Sequence, residues 1–513
     1  MSEEKNQPTE QAAGTATDYR AQRIENMKKL QELGYEPFGQ AFERTGTIDV
    51  VRAQWTKPIV AAPRPAPGEK PAAPAEPAEP GPIVRAAGRI MALRNMGKTI
   101  FADLRDGTGR IQLFVNGKNI GDAAFEAFKY LDLGDHIGVE GELFVTRTGE
   151  LSVRIATWTL LSKGLLPPPE KFHGLQDQED RYRYRYLDLT VNPESRERFN
   201  KRIAIIREFR RWLEDRGFQE VETPMMQPQP GGAAARPFMT HYNALDCTMY
   251  MRIAPELYLK RLLVGGFDKV FELGRDFRNE GLDRTHNPEF TVLEVYQAYG
   301  DRNSMRAIIE GAIPHICDKV LGTRKVTYEG KELDFTPPYR EVKYEDLVKE
   351  RMGDDWYSLS LAEQQAKCDA AGLPYDPSWD SMLLTHEVYD KLIEKTLFQP
   401  TFVIHMPHEF VPLAKTVPGD PSKANAFEFV CGGRELCPGY TEQNDPFAQR
   451  DAFEHQAGED TEKIDEDFIR AIEFGMPPTG GLGIGIDRLV MMLTGTDVIR
   501  DVILFPQLKP EAK

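Results

Sequence analysis

Three stretches of this chain bring together residue types that could handle a nucleotide's phosphates. The first runs from Phe427 to Leu436, where Gly432-Gly433 between two strand-like runs signals a two-residue hairpin. In such a hairpin Val430 faces Glu435, and Glu428 lies diagonal to Glu435 on the same face, roughly 7–8 Å away. Like charges so placed repel unless a cation joins them. Magnesium prefers one or two carboxylates plus phosphate oxygens, so Mg·ATP is the natural partner; two exposed glutamates on a solvated hairpin are the alternative. In the second stretch, Lys269 to Glu280 and Glu289 to Tyr299 read as strands flanking a polar loop, Gly281 to Pro288. Period-two alternation places Phe290, Val292, Glu294 and Tyr296 on one face of the second strand, and Arg278 with Glu280 on one face of the first. Cross-strand ion pairs on a solvated sheet would account for Arg278 and Glu280, but they do not require His286 and Asn287 in the loop. The third stretch is Gly481-Leu482-Gly483-Ile484-Gly485-Ile486-Asp487-Arg488, which fails the dinucleotide-binding GxGxxG spacing because Arg488 stands at the third glycine position. Glycines at alternate strand positions instead clear one face for a flat ligand, with Arg488 near the start of the next helix.

These side chains need a rigid frame. Ser195 to Arg216 has the spacing of an amphipathic helix, and Gly217 to Pro224 follows it as a strand ending at a proline. Helices and strands then alternate irregularly to Leu508, which predicts one large α+β domain over residues 195–513. Within it Glu341 to Leu397 reads as mainly helical and without chemistry, an inserted subdomain at about 341–397. Upstream, short alternating segments at Val84–Ile90, Ile100–Leu104, Ile111–Val115, His136–Phe144 and Leu151–Leu161 are separated by glycine-containing turns, with a helix at Ala123–Tyr130 between the third and fourth. That order predicts an OB-fold β-barrel over 83–165, a fold that commonly binds single-stranded nucleic acid. Residues 166–194 read as a linker and 1–57 as a tail with one amphipathic helix, Tyr19 to Leu33. Residues 58–82, dominated by Pro and Ala, read as an extended insertion.

Composition narrows the classes. At 513 residues with 41% hydrophobic content, the chain has enough apolar material for several packed cores. No run approaches 18 apolar residues and the first residues lack a signal peptide's apolar core, which predicts a cytoplasmic protein with no membrane association. The five cysteines, scattered without a CxxC pair, suggest neither a disulfide framework nor a zinc site. A net charge of −16 is awkward for a nucleic-acid binder. Local basic runs soften the objection: Arg181, Arg183 and Arg185 alternate with tyrosines, and Lys201, Arg202, Arg207, Arg210 and Arg211 follow. A solvated helix face or interdomain linker is the plainer account of such runs.

The helix, strand and terminal proline at 195–224 resemble motif 1 of the class II aminoacyl-tRNA synthetases, the Arg278/Glu280/His286 stretch resembles motif 2, and Gly481 to Arg488 resembles motif 3. Longer segments carry the likeness further. Gly231-Gly232-Ala233-Ala234-Ala235-Arg236-Pro237-Phe238, Arg252-Ile253-Ala254-Pro255-Glu256-Leu257, Phe277 to Phe290, Phe172-His173-Gly174-Leu175 and Ile499 to Pro506 are similar to the lysyl-tRNA synthetase family, from about Ile83 to Leu508. The resemblance implies a class II catalytic domain, an antiparallel sheet flanked by helices, behind an anticodon-binding OB-fold barrel. It implies ATP-dependent activation of L-lysine, transfer to tRNA(Lys), and a homodimer built through motif 1. Arg278, Glu280, His286, Asn287, Phe290 and Arg488 would bind ATP, with Arg278 and Arg488 the catalytic arginines and Glu428 and Glu435 holding Mg2+. Gly232, Glu256, Glu294, Tyr296, Tyr440 and Glu442 would form the lysine pocket, where a buried ammonium needs carboxylates and hydrogen-bond acceptors. Arg94, Phe101, Gln112 and Glu150 match positions that read the anticodon; in isolation Phe101 reads as barrel core. Three positions depart from the family pattern around the substrate pocket: Pro438 for Asn, Val411 for Ser and Ala426 for Arg. A synthetase for aspartate or asparagine would share the architecture, but three pocket glutamates argue against an acidic substrate. A catalytically silent tRNA-binding homologue would not need the intact Arg278, Glu280, Glu428, Glu435 and Arg488.

Overall fold

The computed structural model describes residues 16–59, 80–169, 175–233, 235–457 and 464–511. The Pro/Ala-rich insertion and Phe172-His173-Gly174 thus lie almost wholly outside the described residues. The chain divides into two compact units, residues 1–174 and 175–513.

The first unit is built on a closed five-stranded barrel with strand order β1-β2-β3-β5-β4: β1 Ile83–Asn95, β2 Thr99–Arg105, β3 Arg110–Asn116, β4 His136–Val145 and β5 Leu151–Ser162. All neighbours are antiparallel except β3 and β5. Alternation explains why a barrel forms: Ile100, Ala102 and Leu104 of β2 and Ile111, Leu113 and Val115 of β3 point inward into one core with Val84, Ile137 and Val153. Short helices at Gly117–Ile120 and Asp122–Phe128 fall between β3 and β4, where the sequence reading expects one, and Phe125 and Phe128 close the barrel's end. The helix Ala16–Glu32 joins this unit through Leu30.

The second unit is organised by an eight-stranded sheet. Its order is Arg340–Lys343, Thr401–Ile404, Ala426–Cys431, Arg434–Thr441, Thr479–Gly485, Glu289–Ala298, Lys269–Phe277 and Gln219–Glu220, antiparallel except for the first pair and the last. One face is apolar. Phe271, Leu293, Val295, Leu482, Ile484, Phe427 and Phe429 meet helices Pro193–Glu214, Arg302–Ile316 and Ile486–Thr494 in a continuous core. The first helix contributes Ile205, Phe209, Trp212 and Leu213, spaced i, i+4, i+7 and i+8 so that a single stripe is buried. The opposite face carries the polar side chains, with Leu259 and Leu263 of the helix Glu256–Val264 covering Val270 and Tyr296.

Several sequence readings need correction. The strand expected over Lys269 to Glu280 ends at Phe277, so Arg278 and Glu280 belong to the loop and do not share a strand face. The motif 1 strand is only Gln219–Glu220, pairing in parallel with Val270 and Phe271 at the sheet's edge. Residues 341–397 are mainly helical, yet Arg340–Lys343 is the outermost strand of the sheet, and Leu347, Leu384, Val388 and Tyr389 share a core with Val403 and Val430. The expected linker is structured beyond Leu175: helices Gln178–Arg183 and Arg185–Val191 belong to the second unit, where buried Arg185 donates to Asp188 at 2.7 Å and to the Leu504 carbonyl at 3.0 Å. The basic run is likewise engaged internally: Arg181 donates to Asp188, Arg202 to Asp487 and Arg210 to Glu220. A solvated face describes Arg207 and Arg211, whose side chains are 59% and 61% exposed, but not the buried Arg185 and Arg202.

Candidate functional site

Register across the sheet explains how distant residues meet. Asp276 pairs with Phe290, Gly274 with Val292, Glu272 with Glu294 and Val270 with Tyr296. On the other side, Val292, Glu294 and Tyr296 pair with Gly485, Gly483 and Gly481, and Gly481 pairs with Tyr440. All of these side chains therefore share one face, the one away from the apolar core. A cavity of about 1170 Å³ opens over it, lined among others by Arg278, Glu280, His286, Asn287, Phe290, Arg488, Glu256, Glu294, Tyr296, Tyr440, Glu442 and Gly232. The glycines have two uses. A Cβ on Gly481 would collide with Glu442 and Tyr296, whereas one on Gly483 would meet nothing nearer than Glu294 Cγ at 3.9 Å. Gly481 makes room for the protein's own carboxylate; Gly483 leaves space for a ligand.

At one end of the cavity the Arg278 guanidinium lies 5.1 Å over the Phe290 ring, and its buried Nε has no hydrogen-bond partner among the described residues. Asp276, fully buried beside Arg252, is pushed up to about 6 by desolvation, with Arg252 and Arg278 pulling the other way. His286 and Arg488 form a chain: Asp283 Oδ2 lies 2.7 Å from His286 Nδ1, His286 Nε2 lies 3.3 Å from Arg488 Nη2, and Arg488 Nη1 donates to the Glu435 carbonyl at 2.8 Å. That order fits a neutral imidazole with its proton on Nδ1 and a lone pair facing Arg488. Burial opposes it, but the Thr285 amide and the His286 ring hold Asp283 down at about 2. Glu280 stands exposed at the mouth. Asn287 is spoken for: it donates to the Glu289 carbonyl at 2.6 Å and accepts from the Gln507 amide at 3.3 Å, so its side chain fixes the loop's end against the C-terminal segment.

The hairpin Ala426–Cys431 and Arg434–Thr441 turns through Gly432 and Gly433, whose φ angles of 61° and 72° suit a type I′ turn. Val430 faces Glu435, as the spacing predicts, and a bulge follows because Phe429 pairs with Cys437 and Glu428 with Pro438. Burial, then Glu435, then Glu394 push the Glu428 carboxyl well above the usual range. Arg488 pulls Glu394 down, but no ion pair among the described residues joins any of these three carboxylates, which is the environment a divalent cation would satisfy. Among the described residues no cluster of three or more acidic, His or Cys side chains is arranged to hold a metal unaided, so phosphate oxygens would have to complete the shell.

The other end of the cavity is a buried acidic pocket. Glu256 is 6%, Glu294 7% and Glu442 0% exposed, and Tyr296 donates its hydroxyl to Glu294 at 3.0 Å. Glu442 Oε1 is buried with no hydrogen-bond partner among the described residues. Burial, then Asp276 and Glu256, push Glu294 well above the usual carboxylate range. Gly232, with φ of 83°, packs so closely that a Cβ there would stand 3.2 Å from the Cβ atoms of Glu256 and Ala254. Helix Glu256–Val264 supplies Glu256 at its first turn.

In the barrel unit, Arg94 pairs with Phe101, Phe101 with Phe114, and Asp103 with Gln112. These residues occupy the outer face, opposite Ile100, Ala102 and Leu104, so Phe101 does not belong to the core. Phe101 packs edge-on to Phe114 at 5.5 Å, Phe114 to Phe144 at 5.6 Å, and Arg154 lies 4.5 Å over Phe144. Gln112 accepts from Ser152 at 3.0 Å and Glu150 from Arg110 at 2.7 Å. An aromatic row with basic neighbours on an open face suits unstacked bases.

Residues 177–509 match the family model for tRNA synthetases class II (D, K and N), and residues 84–161 match that for the OB-fold nucleic acid binding domain. The chain is 47% identical over 499 residues to the lysine–tRNA ligase of Syntrophomonas wolfei, covering 96% of this chain and 97% of that protein. It is 47% identical to the lysine–tRNA ligase of Pelotomaculum thermopropionicum over 95% of this chain and 94% of the relative, and 45% identical to that of Staphylococcus aureus over 95% and 97%. The chain belongs to the lysine–tRNA ligase family. Of its departures from the family pattern, Val411 and Pro438 line the cavity, whereas Ala426 does not: it is buried opposite Tyr440 in the core formed with Val403 and Val430. The ladder to Thr479–Gly485 stops at Gly439, so Pro438 pairs on one side only, with Glu428 across the hairpin.

Sequence reasoning missed three participants. Tyr389 donates to Glu428 at 3.2 Å, and Glu394 accepts the Glu435 amide at 2.7 Å, both from the 341–397 segment read as carrying no chemistry. Lys260 has its buried ammonium 2.6 Å from both Glu256 and Glu442. Only the i, i+4 spacing of Glu256 and Lys260 was available as a signal, and that spacing is ordinary on exposed helices.

Proposed function

We propose that this aminoacyl-tRNA synthetase activates L-lysine with ATP and transfers the lysyl group to tRNA(Lys). The observation that carries the reading is Glu442 Oε1, buried, without a hydrogen-bond partner among the described residues and at the end of the cavity remote from Arg278. An unsatisfied buried carboxylate oxygen is costly, and a substrate ε-ammonium supplies both charge and donors. Tyr296, Tyr440 and Glu294 line the same cavity, and Glu256, which also lines it, would meet the α-amine. The adenine would stack on Phe290 under Arg488, with the α-phosphate at Arg278.

The chemistry needs no protein nucleophile. The lysine carboxylate attacks the α-phosphorus, the bond to the β-phosphate bridging oxygen breaks, and pyrophosphate leaves. Arg278 stabilises charge developing on the α-phosphate, and its unpartnered Nε leaves a donor for that task. His286 and Arg488, tied together and to the Glu435 carbonyl, hold the polyphosphate end. Glu428 and Glu435 would hold Mg2+, which when bound supplies charge neutralisation on the phosphates. A terminal ribose hydroxyl of tRNA then attacks the carbonyl carbon of the adenylate, forming the ester and releasing AMP. Arg94, Phe101, Gln112 and Glu150 on the barrel face would read the anticodon, with Phe114 extending the aromatic row.

A homodimer is supported by apolar side chains left on the surface around motif 1: Ile203 is 58%, Met226 54%, Met239 67% and Leu245 68% exposed. The protein is expected to act in the cytoplasm; among the described residues no helix is long and apolar enough to cross a membrane. Charging of tRNA(Lys) with radiolabelled lysine tests the function. ATP-dependent, tRNA-dependent incorporation supports it, and tRNA binding without incorporation would favour a silent homologue.

A further inference from the structure

Lys260 follows Glu256 by one turn of the Glu256–Val264 helix, so the two side chains lie along the same face. Its ammonium is fully buried, 2.6 Å from Glu256 Oε1 and 2.6 Å from Glu442 Oε2. The activation reaction described above makes no use of it. A buried ammonium persists only when paired, and this one is paired twice, across the gap between a helix and a sheet strand. Glu442 is thereby divided: Oε2 lies against Lys260, and Oε1, buried over Gly481, has no hydrogen-bond partner among the described residues.

We propose that Lys260 is a positioning residue for the amino-acid substrate: by engaging one oxygen each of Glu256 and Glu442 it fixes both carboxylates and turns Glu442 Oε1 toward the incoming ammonium. The inference rests on the reading of the acidic end as the lysine pocket. The groups acting on Glu442 are Lys260 and Glu256 from the helix, Glu294 and Tyr296 from the neighbouring strand, and Tyr440 from its own. All but Lys260 are acids, so among the described residues it alone stabilises the anion by charge. Burial pushes Glu442 up to about 7, against the pull of Lys260. The same two glutamates hold Lys260 above its ordinary range despite its burial, so it stays charged across the neutral range. Without Lys260, Glu442 would ionise only at higher pH, and lysine binding would follow it.

The test uses the full-length protein with Lys260→Met, Lys260→Gln and Lys260→Arg, measuring lysine-dependent ATP–pyrophosphate exchange from pH 6 to 9 with melting profiles as a check on folding. Lys260→Met should raise the KM for lysine at least 10-fold at pH 7 while the KM for ATP stays within 2-fold, and the pH below which lysine KM rises should move upward. Lys260→Gln, similar in size and neutral, should show the same split, and Lys260→Arg should recover part of the lost affinity. A folded neutral variant with wild-type lysine KM, or with both KM values raised together and the pH profile unmoved, overturns the role of Lys260. Wild-type protein that gives no lysine-dependent exchange would instead defeat the lysine-pocket reading itself.

Discussion

The barrel and the large sheet both display polar side chains on a face opposite an apolar core, but they treat those side chains differently. On the barrel, Arg94, Arg110 and Glu150 remain substantially exposed and pair with one another or with Asp103 at the rim. On the sheet and the helix beside it, Glu256, Glu294, Glu442, Asp276 and Lys260 are buried almost completely, and burial and neighbouring charges displace the ionisation of Glu294, Glu442, Asp276 and Lys260. A surface pair contributes little and costs little to change, whereas a buried charge that loses its partner is costly. The barrel is thus a recognition surface whose residues act one by one, and the sheet is an electrostatic unit in which each residue conditions its neighbours.

Substitutions that separate the two units put this contrast at risk. Arg278→Ala should reduce adenylate formation by about 10²–10³-fold, the loss of one transition-state contact of ~2.7–4 kcal/mol, while tRNA binding stays within 2-fold. Pyrophosphate exchange and filter binding measured side by side would contradict the assignment if both fell together. Phe101→Ala should do the reverse: tRNA charging weakens by roughly 5- to 150-fold, corresponding to 1–3 kcal/mol of stacking, with exchange unchanged. Unchanged charging kinetics would return Phe101 to a structural role on the barrel surface.

Two smaller effects sharpen the account of the acidic pocket. Glu442 is held at about 7, so below that pH the carboxyl takes a proton, the pocket loses a negative charge, and the KM for lysine should rise by up to about 10-fold per pH unit. The KM for ATP, whose site lies at the other end, should not follow. Pro438→Asn restores a side-chain amide on the cavity wall, and one net hydrogen bond of about 1 kcal/mol corresponds to a lysine KM lower by roughly 5-fold. An unchanged or higher KM would mean that the wall at 438 does not touch the amino acid.

Much of this organisation was legible in the sequence because its signals are local. Alternating Ile100, Ala102 and Leu104 against Phe101 and Asp103 defines a barrel strand, and Gly432-Gly433 defines both the turn and the Val430–Glu435 register. What local pattern could not convey was pairing across the fold. Nothing near Lys260 indicates that its ammonium meets Glu442, 182 residues later, and nothing in 341–397 announces that Tyr389 and Glu394 reach the hairpin glutamates. The end of the strand at Phe277 was misread because Arg278-Asn279-Glu280 continues an alternating pattern, although the backbone has already turned: the Glu280 amide bonds to the Arg278 carbonyl at 2.9 Å. Asn287 carried a family role in the sequence reading, whereas its side chain is committed to the protein's own backbone.

If the buried acidic end of the cavity selects an amino acid by its side-chain ammonium, amino-acid-dependent ATP–pyrophosphate exchange across the twenty standard amino acids, with ornithine and β-lysine added, will show it. Strong exchange is expected with lysine, weaker exchange with the amine analogues, and none with aspartate or asparagine. Preferential activation of an acidic or uncharged amino acid, or exchange with none, would contradict it.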